Sequence, residues 1–156
     1  MNKIITILIC LFGLHTISAQ TSLDISFLKN NNWMLIEEEG KDTLIVSFDN
    51  ERMYTSEHIH FFHPISGKHF ENTLKIDFTY YLSDTITDSY DATKVGKVPS
   101  GRYLTVHNLT AKHTNPNDYT TFEVTKKSSS EIVLTLYSFS ANYLNKKGRI
   151  FLLKRK

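Results

Sequence analysis

The stretch TLKIDFTYYLS, residues 73–83, decides the fold class of this chain. Its large apolar side chains occupy every second position, namely Leu74, Ile76, Phe78, Tyr80 and Leu82. Because a β-strand points successive side chains to opposite faces, this period predicts a strand with one buried and one wet face. The same period recurs along the chain, and no long amphipathic helix is indicated, so we predict an all-β protein.

Alternation of apolar residues and the positions of turn residues together predict eight strands. Their expected bounds are near residues 33–39, 42–48, 52–62, 73–83, 101–108, 119–126, 131–139 and 148–155. Most connections are short and rich in Gly, Asn, Asp, Pro and Ser, which are the usual turn residues. Only residues 84–101 make a long connection, which we expect to be a mobile surface loop. Residues 22–29 are expected to form a short helical turn before the first strand.

Sequential strands joined by short turns favour an antiparallel meander. A meander of eight strands can close on itself and thereby remove both exposed sheet edges. We therefore predict an eight-stranded antiparallel up-and-down barrel, whose interior is either filled by side chains or holds one small ligand. A two-sheet sandwich is the alternative all-β arrangement, but the chain lacks the Cys-Trp-Cys pattern of that class.

The first 19 residues have the layout of a secretory signal peptide, with Lys3 before an apolar run at residues 4–14 and an expected processing point after Ala19. The run is shorter than the roughly 20 residues that a membrane span needs, although an uncleaved anchor is the alternative. Cys10 is the only cysteine and lies in this segment, so a packed core must stabilise the exported protein without disulfides. We expect residues 20–156 to form a single domain that is periplasmic or secreted.

The charge balance narrows the range of partners. The chain has 18 Lys and Arg residues against 16 Asp and Glu residues. This near-neutral balance indicates no nucleic-acid partner and no acidic membrane surface. We also expect no stable membrane insertion after removal of the signal peptide.

Three stretches resemble small bacterial lipocalin-like domain proteins. FLKNNNWMLIEEEG, residues 27–40, resembles the opening of that family, in which a short turn leads to a tryptophan at the start of the first strand. The family has Gly-x-Trp where this chain has Asn31-Asn32-Trp33. IVSFDNERMY, residues 45–54, resembles the second hairpin, and residues 122–136 with 148–155 resemble the closing strands. The resemblance implies a lipocalin-like barrel.

The same resemblance implies a structural role for Trp33 and a basic residue. In the family a basic side chain from the end of the barrel often covers the tryptophan, a role that Arg149 or Arg155 could have here. The alternative is that Trp33 simply fills one end of the core. A cation over an exposed indole contributes only about 0.5–1 kcal/mol, so either arrangement makes Trp33 mainly a packing residue.

Aromatic residues are abundant enough to line a cavity as well as a core. The chain has ten Phe and eight Tyr residues. Apolar walls with a few phenol hydroxyls suit a small apolar ligand. The residues that we predict to point inward and contact such a ligand are Phe48, Phe78, Tyr80, Tyr103, Phe122 and Leu136.

The stretch EHIHFFH, residues 57–63, raises the possibility of a metal site. His58 and His60 are two residues apart on a predicted strand and therefore share a face, whereas His63 falls on the other face before Pro64. Imidazole is a common ligand of zinc and copper. A third ligand would have to come from elsewhere, with Asp77, His69, His107 and His113 as candidates. The alternative is a partly exposed strand face without metal.

No catalytic or cofactor motif is recognised. The Gly-x-Ser-x-Gly elbow of α/β-hydrolases is absent, and Gly96 and Gly101 belong to no phosphate-binding loop. We therefore expect a protein that is not an enzyme and needs no cofactor. The leading hypothesis is an exported lipocalin-like barrel that binds a small apolar molecule. The alternatives are a cavity-less module that presents residues 84–101 to a protein partner and a metal-binding protein that uses His58 and His60.

Overall fold

The computed structural model describes residues 21–37, 43–87, 89–109, 118–139 and 148–156, with the side chains of residues 138 and 139 left aside. The expected signal peptide, residues 1–19, lies outside the described residues. So does His113, which was one of the candidate metal ligands.

Eight antiparallel strands form a closed barrel, as predicted. Around the barrel their order is β10 (Ile150–Arg155), β2 (Trp33–Glu37), β3 (Thr43–Phe48), β4 (Arg52–His63), β5 (Lys68–Ser83), β7 (Tyr103–Asn108), β8 (Tyr119–Lys127) and β9 (Glu131–Phe139). Two further short strands, β1 (Leu23–Asp24) and β6 (Ser100–Gly101), pair with each other outside the barrel. The up-and-down order confirms the predicted meander.

Helix α1 (Ile25–Lys29) packs over one end of the barrel. A helix of 5 residues is too short to be stable by itself, so its apolar contacts with the barrel must hold it. Leu28 is fully buried in the core, and Phe27 packs at its edge with Lys127 Nζ 4.7 Å from the ring centroid. The same Nζ donates to Asp24 Oδ2 at 2.7 Å and so ties the start of α1 to β8.

Trp33 fills the end of the core beneath α1. Its side chain is fully buried, and the Nε1 hydrogen is donated to Leu28 O at 2.9 Å. The Phe27 ring lies 5.4 Å from the indole, between ring centroids. This packing agrees with the alternative in which Trp33 serves as a core residue.

Within the described ranges, no basic side chain covers Trp33. Arg149 forms an ion pair with Glu37, at the other end of β2, so the predicted contact of Arg149 with Trp33 is wrong. Arg155 is opposite Trp33 in the β2–β10 ladder, but its side chain is exposed. Among the cation–π contacts of the described residues, none involves Trp33, because α1 occupies that position instead.

The inner face of the barrel carries five of the six residues that we predicted to point inward. Phe48 and Tyr80 belong to the buried core, and Phe78 and Phe122 pack against it. Leu136 is buried and lies opposite Phe122 in the β8–β9 ladder, which places both on the same face. Their contact with a ligand stays a prediction.

Tyr103 faces the outside, so its predicted inward orientation is wrong. It alternates with Leu104, which belongs to the core, and it is opposite Glu123 on β8. Its ring contacts Tyr137 at 6.0 Å between centroids. Tyr103 is nevertheless buried, because the outer face of β5, β7 and β8 is covered as well.

The segment after β5 provides that cover and is packed rather than free. The Tyr90 ring stacks on His107 with centroids 4.6 Å apart, and its hydroxyl is 2.5 Å from Thr79 Oγ1. Burial raises the pKa of Tyr90. A 3-10 turn (Ala92–Lys94) follows, with the Asp91 carboxylate accepting from Thr93 N–H at 3.0 Å. The segment expected to be a mobile surface loop is therefore packed on the barrel around Tyr90, and its mobility stays a prediction.

Replacing Trp33 by Phe should destabilise the protein through the end of the core. The change removes the N–H that Leu28 O accepts and leaves space beside Phe27. We expect the free energy of unfolding to fall by about 1–3 kcal/mol in urea denaturation followed by circular dichroism. Phe62→Leu, at an exposed position, is the control and should stay within about 0.5 kcal/mol of the original chain. Equal stability of Trp33→Phe would contradict the packing role.

Tyr80 should make the stability of the fold depend on alkaline pH. Burial, with a smaller effect of the Asp49 charge, raises the pKa of Tyr80 above its ordinary value of 10.0, and its hydroxyl donates to Asp49 O at 2.6 Å. In the unfolded chain the phenol loses its proton near pH 10, whereas the folded protein retains it. The contribution of Tyr80 to the free energy of unfolding is therefore fully present below about pH 10 and is lost as the pH rises further. Urea midpoints between pH 8 and about 11 should fall more steeply for the original chain than for Tyr80→Phe; equal slopes would refute this.

Candidate functional site

The burial of side chains inside the barrel differs between its two ends. We call the end at which β2 finishes with Glu37 the far end, and the opposite end is covered by α1. Trp33 and Leu82, near α1, are fully buried. Leu35, Leu44 and Phe151, which lie toward the far end, face inward and pack on the core but remain partly accessible. Phe78 and Phe122 also face inward and are partly accessible. These inward-facing side chains therefore keep part of their apolar surface unburied.

An ion pair between Glu37 and Arg149 marks the far end. Glu37 is the last residue of β2 and Arg149 immediately precedes β10, so the pair spans the seam where the first and last barrel strands meet. About a quarter of each side chain is exposed, at 26% and 25%, while the contacting atoms Oε1 and Nε are withdrawn from solvent. Phe151 lies opposite Glu37 in the ladder. The Glu37–Arg149 ion pair therefore lies beside the apolar side chain of Phe151.

Strands β4 and β5 continue past the barrel as a two-stranded ribbon, which we define as residues 57–74. Its pairing begins at Glu57 with Leu74 and ends at His63 with Lys68. In the described part of the chain, no third strand pairs with these residues. Large apolar side chains are exposed here, with exposed fractions of 48% for Phe61, 54% for Phe62 and 92% for Ile65.

The ribbon is longer than the alternation in the sequence predicts, because β5 begins at Lys68 rather than near residue 73. A turn at residues 64–67 reverses the chain, and Gly67 N–H donates to His63 O at 3.0 Å. Gly67 has a φ of 62°, a left-handed conformation that costs glycine little. The rings of Phe61 and Phe70 stack with centroids 5.3 Å apart and stabilise the cross-strand pairing of the ribbon. The turn residues in this stretch had concealed that pairing in the sequence.

One face of the ribbon continues the inner face of the barrel. Ile59, Phe61, Phe70 and Leu74 share this face, because 59 and 61 alternate with the histidines and lie opposite 72 and 70. His63 also lies here, with its Nδ1 3.2 Å from Ser66 N. The predicted separation of His63 from His58 and His60 is therefore confirmed.

The opposite face of the ribbon brings His58 and His60 together with Glu71. His60 Nδ1 is 3.3 Å from Glu71 Oε1, and His58 Nε2 is 3.8 Å from Glu71 Oε2. One ligand atom from each residue lies within 4.8 Å of the other two, and all three side chains are exposed. The two imidazole rings meet edge to face at 4.5 Å between centroids.

The third member of this cluster differs from every candidate chosen from the sequence. Asp77 is opposite Tyr54, His69 contacts Phe62, and His107 contacts Tyr90. Glu71 was missed because it is opposite His60 only in the register that the turn at residues 64–67 sets. A sequence signal existed, since a hairpin centred on residues 65–66 pairs position 60 with position 71.

On the described surface, two grooves lie outside the barrel wall. One, of about 590 Å³, lies between the segment around Tyr90 and the outer face of the barrel, with Glu51, Thr79 and His107 in its lining. The other, of about 300 Å³, lies on the outer face of β3, β4 and β5 and is lined in part by Ile45, Tyr54 and Asp77. Neither groove contains the residues predicted to contact a ligand.

The comparisons with known proteins found no relative. The chain matches no protein-family model, no curated protein and no solved structure. No helix in the described part of the chain is both long and apolar enough to cross a membrane.

Proposed function

We propose that this protein is an exported, non-catalytic, lipocalin-like barrel that binds a small apolar molecule at the far end. The observation that supports this most is the set of inward-facing apolar side chains that remain partly accessible there, while α1 and Trp33 fill the other end. An eight-stranded barrel has room for one small ligand when its core does not fill it. Export rests on the sequence pattern of residues 1–19.

The binding energy in this proposal comes from removing apolar surface from water. Each Å² of apolar surface that ligand and lining bury together contributes about 25 cal/mol. Leu35, Leu44 and Phe151 supply such surface on three adjacent strands, and the inward-facing Phe78 adds to it from β5. The Glu37–Arg149 pair adds a polar feature, which favours an amphipathic ligand over a pure hydrocarbon.

The inner face of the ribbon extends the same surface beyond the barrel. Phe61 stacks on Phe70 with nearly parallel rings, at an interplanar angle of 15°, and Leu74 lies between them and the barrel along β5. Exposed apolar side chains of this number are uncommon on a soluble domain without a partner or ligand. A ligand longer than the barrel end would therefore contact these side chains too.

A bulky residue at the far end should prevent binding. In Leu44→Trp the larger side chain projects into the proposed site, whereas Ile45→Trp places the same side chain on the outer face of the same strand. We expect an environment-sensitive anilinonaphthalene probe, titrated by fluorescence, to bind at least about tenfold more weakly to Leu44→Trp than to Ile45→Trp. Equal affinities for both variants, with unchanged circular dichroism, would contradict a site inside the barrel.

The ribbon offers a second matched pair. Phe61→Ser removes an aromatic ring from the inner face, and Phe62→Ser removes one of similar exposure from the opposite face. If the ribbon contributes to the site, Phe61→Ser should reduce probe affinity by roughly three- to tenfold and Phe62→Ser should leave it unchanged. A loss in both variants would instead indicate non-specific adsorption of the probe to exposed aromatic rings.

The alternative of an interaction module that presents residues 84–101 has less support. Tyr90 and Lys94 in this segment contact the barrel, through stacking on His107 and through a 5.6 Å approach of Nζ to the Tyr81 ring centroid. These groups cover the outer wall and are therefore less available to a partner.

A further inference from the structure

We propose that His58, His60 and Glu71 bind one divalent transition-metal ion on the outer face of the ribbon. The three side chains come from two antiparallel strands, and they already place one donor atom each within 4.8 Å of the others. The metal site lies on a different face from the apolar ligand site, and neither site needs the other in order to bind.

Two of the donor separations are close to those of a small coordination sphere. Ligands at about 2.0–2.1 Å from a tetrahedral zinc ion are roughly 3.3–3.4 Å apart. His60 Nδ1 and Glu71 Oε1 are 3.3 Å apart, and His58 Nε2 is 3.8 Å from the other carboxylate oxygen. Small changes in the χ angles of exposed side chains would bring all three donors to an ion without moving the backbone.

A neighbouring hydroxyl orients one of the imidazole rings. His58 Nδ1 is 3.4 Å from Thr73 Oγ1, which lies opposite it in the ladder, so Nε2 is turned toward Glu71. Such a contact on the second ring nitrogen is usual for metal-binding histidines, because it fixes the ring and its tautomer. The contact with the Thr73 hydroxyl occupies only Nδ1 of His58. Nε2 of His58 and the Glu71 carboxylate stay available to an ion.

The donor set selects the class of metal. Two imidazoles and one carboxylate suit Zn²⁺ and Cu²⁺, whereas Ca²⁺ and Mg²⁺ prefer oxygen ligands alone. Three protein ligands leave at least one coordination position for water. Copper should bind more tightly than zinc at the same residues, following the usual order of affinities.

Metal binding would stabilise a weak part of the fold. A two-stranded ribbon is marginally stable in water by itself, and residues 57–74 have no third strand among the described ones. Because Glu71 is on β5 and both histidines are on β4, the ion would connect the two strands. It would hold His60 opposite Glu71 and so maintain the register of the ribbon.

Isothermal titration of the tag-free protein with ZnCl₂ tests this site. We expect one Zn²⁺ per chain, with affinity lowered at least about 100-fold in His58→Ala and Glu71→Gln, because loss of even an outer-shell partner costs 10–100-fold. His63→Ala and His69→Ala are the controls, since both residues lie on the ribbon but outside the cluster. They should retain the original affinity. Zinc binding that is unchanged in His58→Ala and Glu71→Gln, or lost equally in the controls, would overturn the proposal.

Hydrogen exchange gives an independent measurement. Zn²⁺ should slow amide exchange within residues 57–74 of the original chain and of His63→Ala, but not of Glu71→Gln. Equal protection in Glu71→Gln would also overturn the proposal. Probe binding at the far end can be measured on the same proteins, so a failure of the metal site is distinguishable from a failure of the apolar ligand site.

Discussion

The pairing of the first barrel strand with the last is the contact on which the rest of the structure depends. Trp33 to Glu37 on β2 pair with Phe151 to Arg155 on β10 through 5 residue pairs. Without this ladder the sheet would have two open edges, and its inner face would lose its enclosure. The same closure places α1, which immediately precedes β2, over the core. The Glu37–Arg149 pair joins both sides of the seam at the far end.

A second constraint is the unequal length of neighbouring strands. β4 and β5 have 12 and 16 residues, whereas their neighbours β3 and β7 have 6 each. Among the described residues, those of the ribbon therefore pair only with each other. The inner face of a barrel is apolar, and its continuation along β4 and β5 leaves Phe61 and Phe70 exposed. The ribbon is thus a direct consequence of the strand lengths.

The sequence predicted the barrel well because both turn residues and alternation mark its strands, most clearly in residues 73–83. It failed at Tyr103 for a physical reason. The outer face of β7 is buried as well as the inner face, so apolar alternation does not distinguish the two sides there. The pair of His58 and His60 followed from strand geometry alone. Predicting Glu71 as the third member of the cluster requires the register of the hairpin, and predicting the ion pair of Arg149 requires the closure of the barrel. Both depend on residues that are distant in the sequence.

The two faces of the ribbon connect the two proposed sites. His60 and Phe61 are adjacent in β4, and Glu71 and Phe70 are adjacent in β5, so the register that sets one cross-strand pair sets the other. A metal ion that holds His60 opposite Glu71 would therefore also hold Phe61 stacked on Phe70. Binding of the ion would then supply the free energy needed to order the ribbon, which the apolar ligand would otherwise have to supply. A ligand that contacts the ribbon would therefore bind more tightly when the ion is present. By reciprocity, the ligand would raise the affinity for the ion by the same factor.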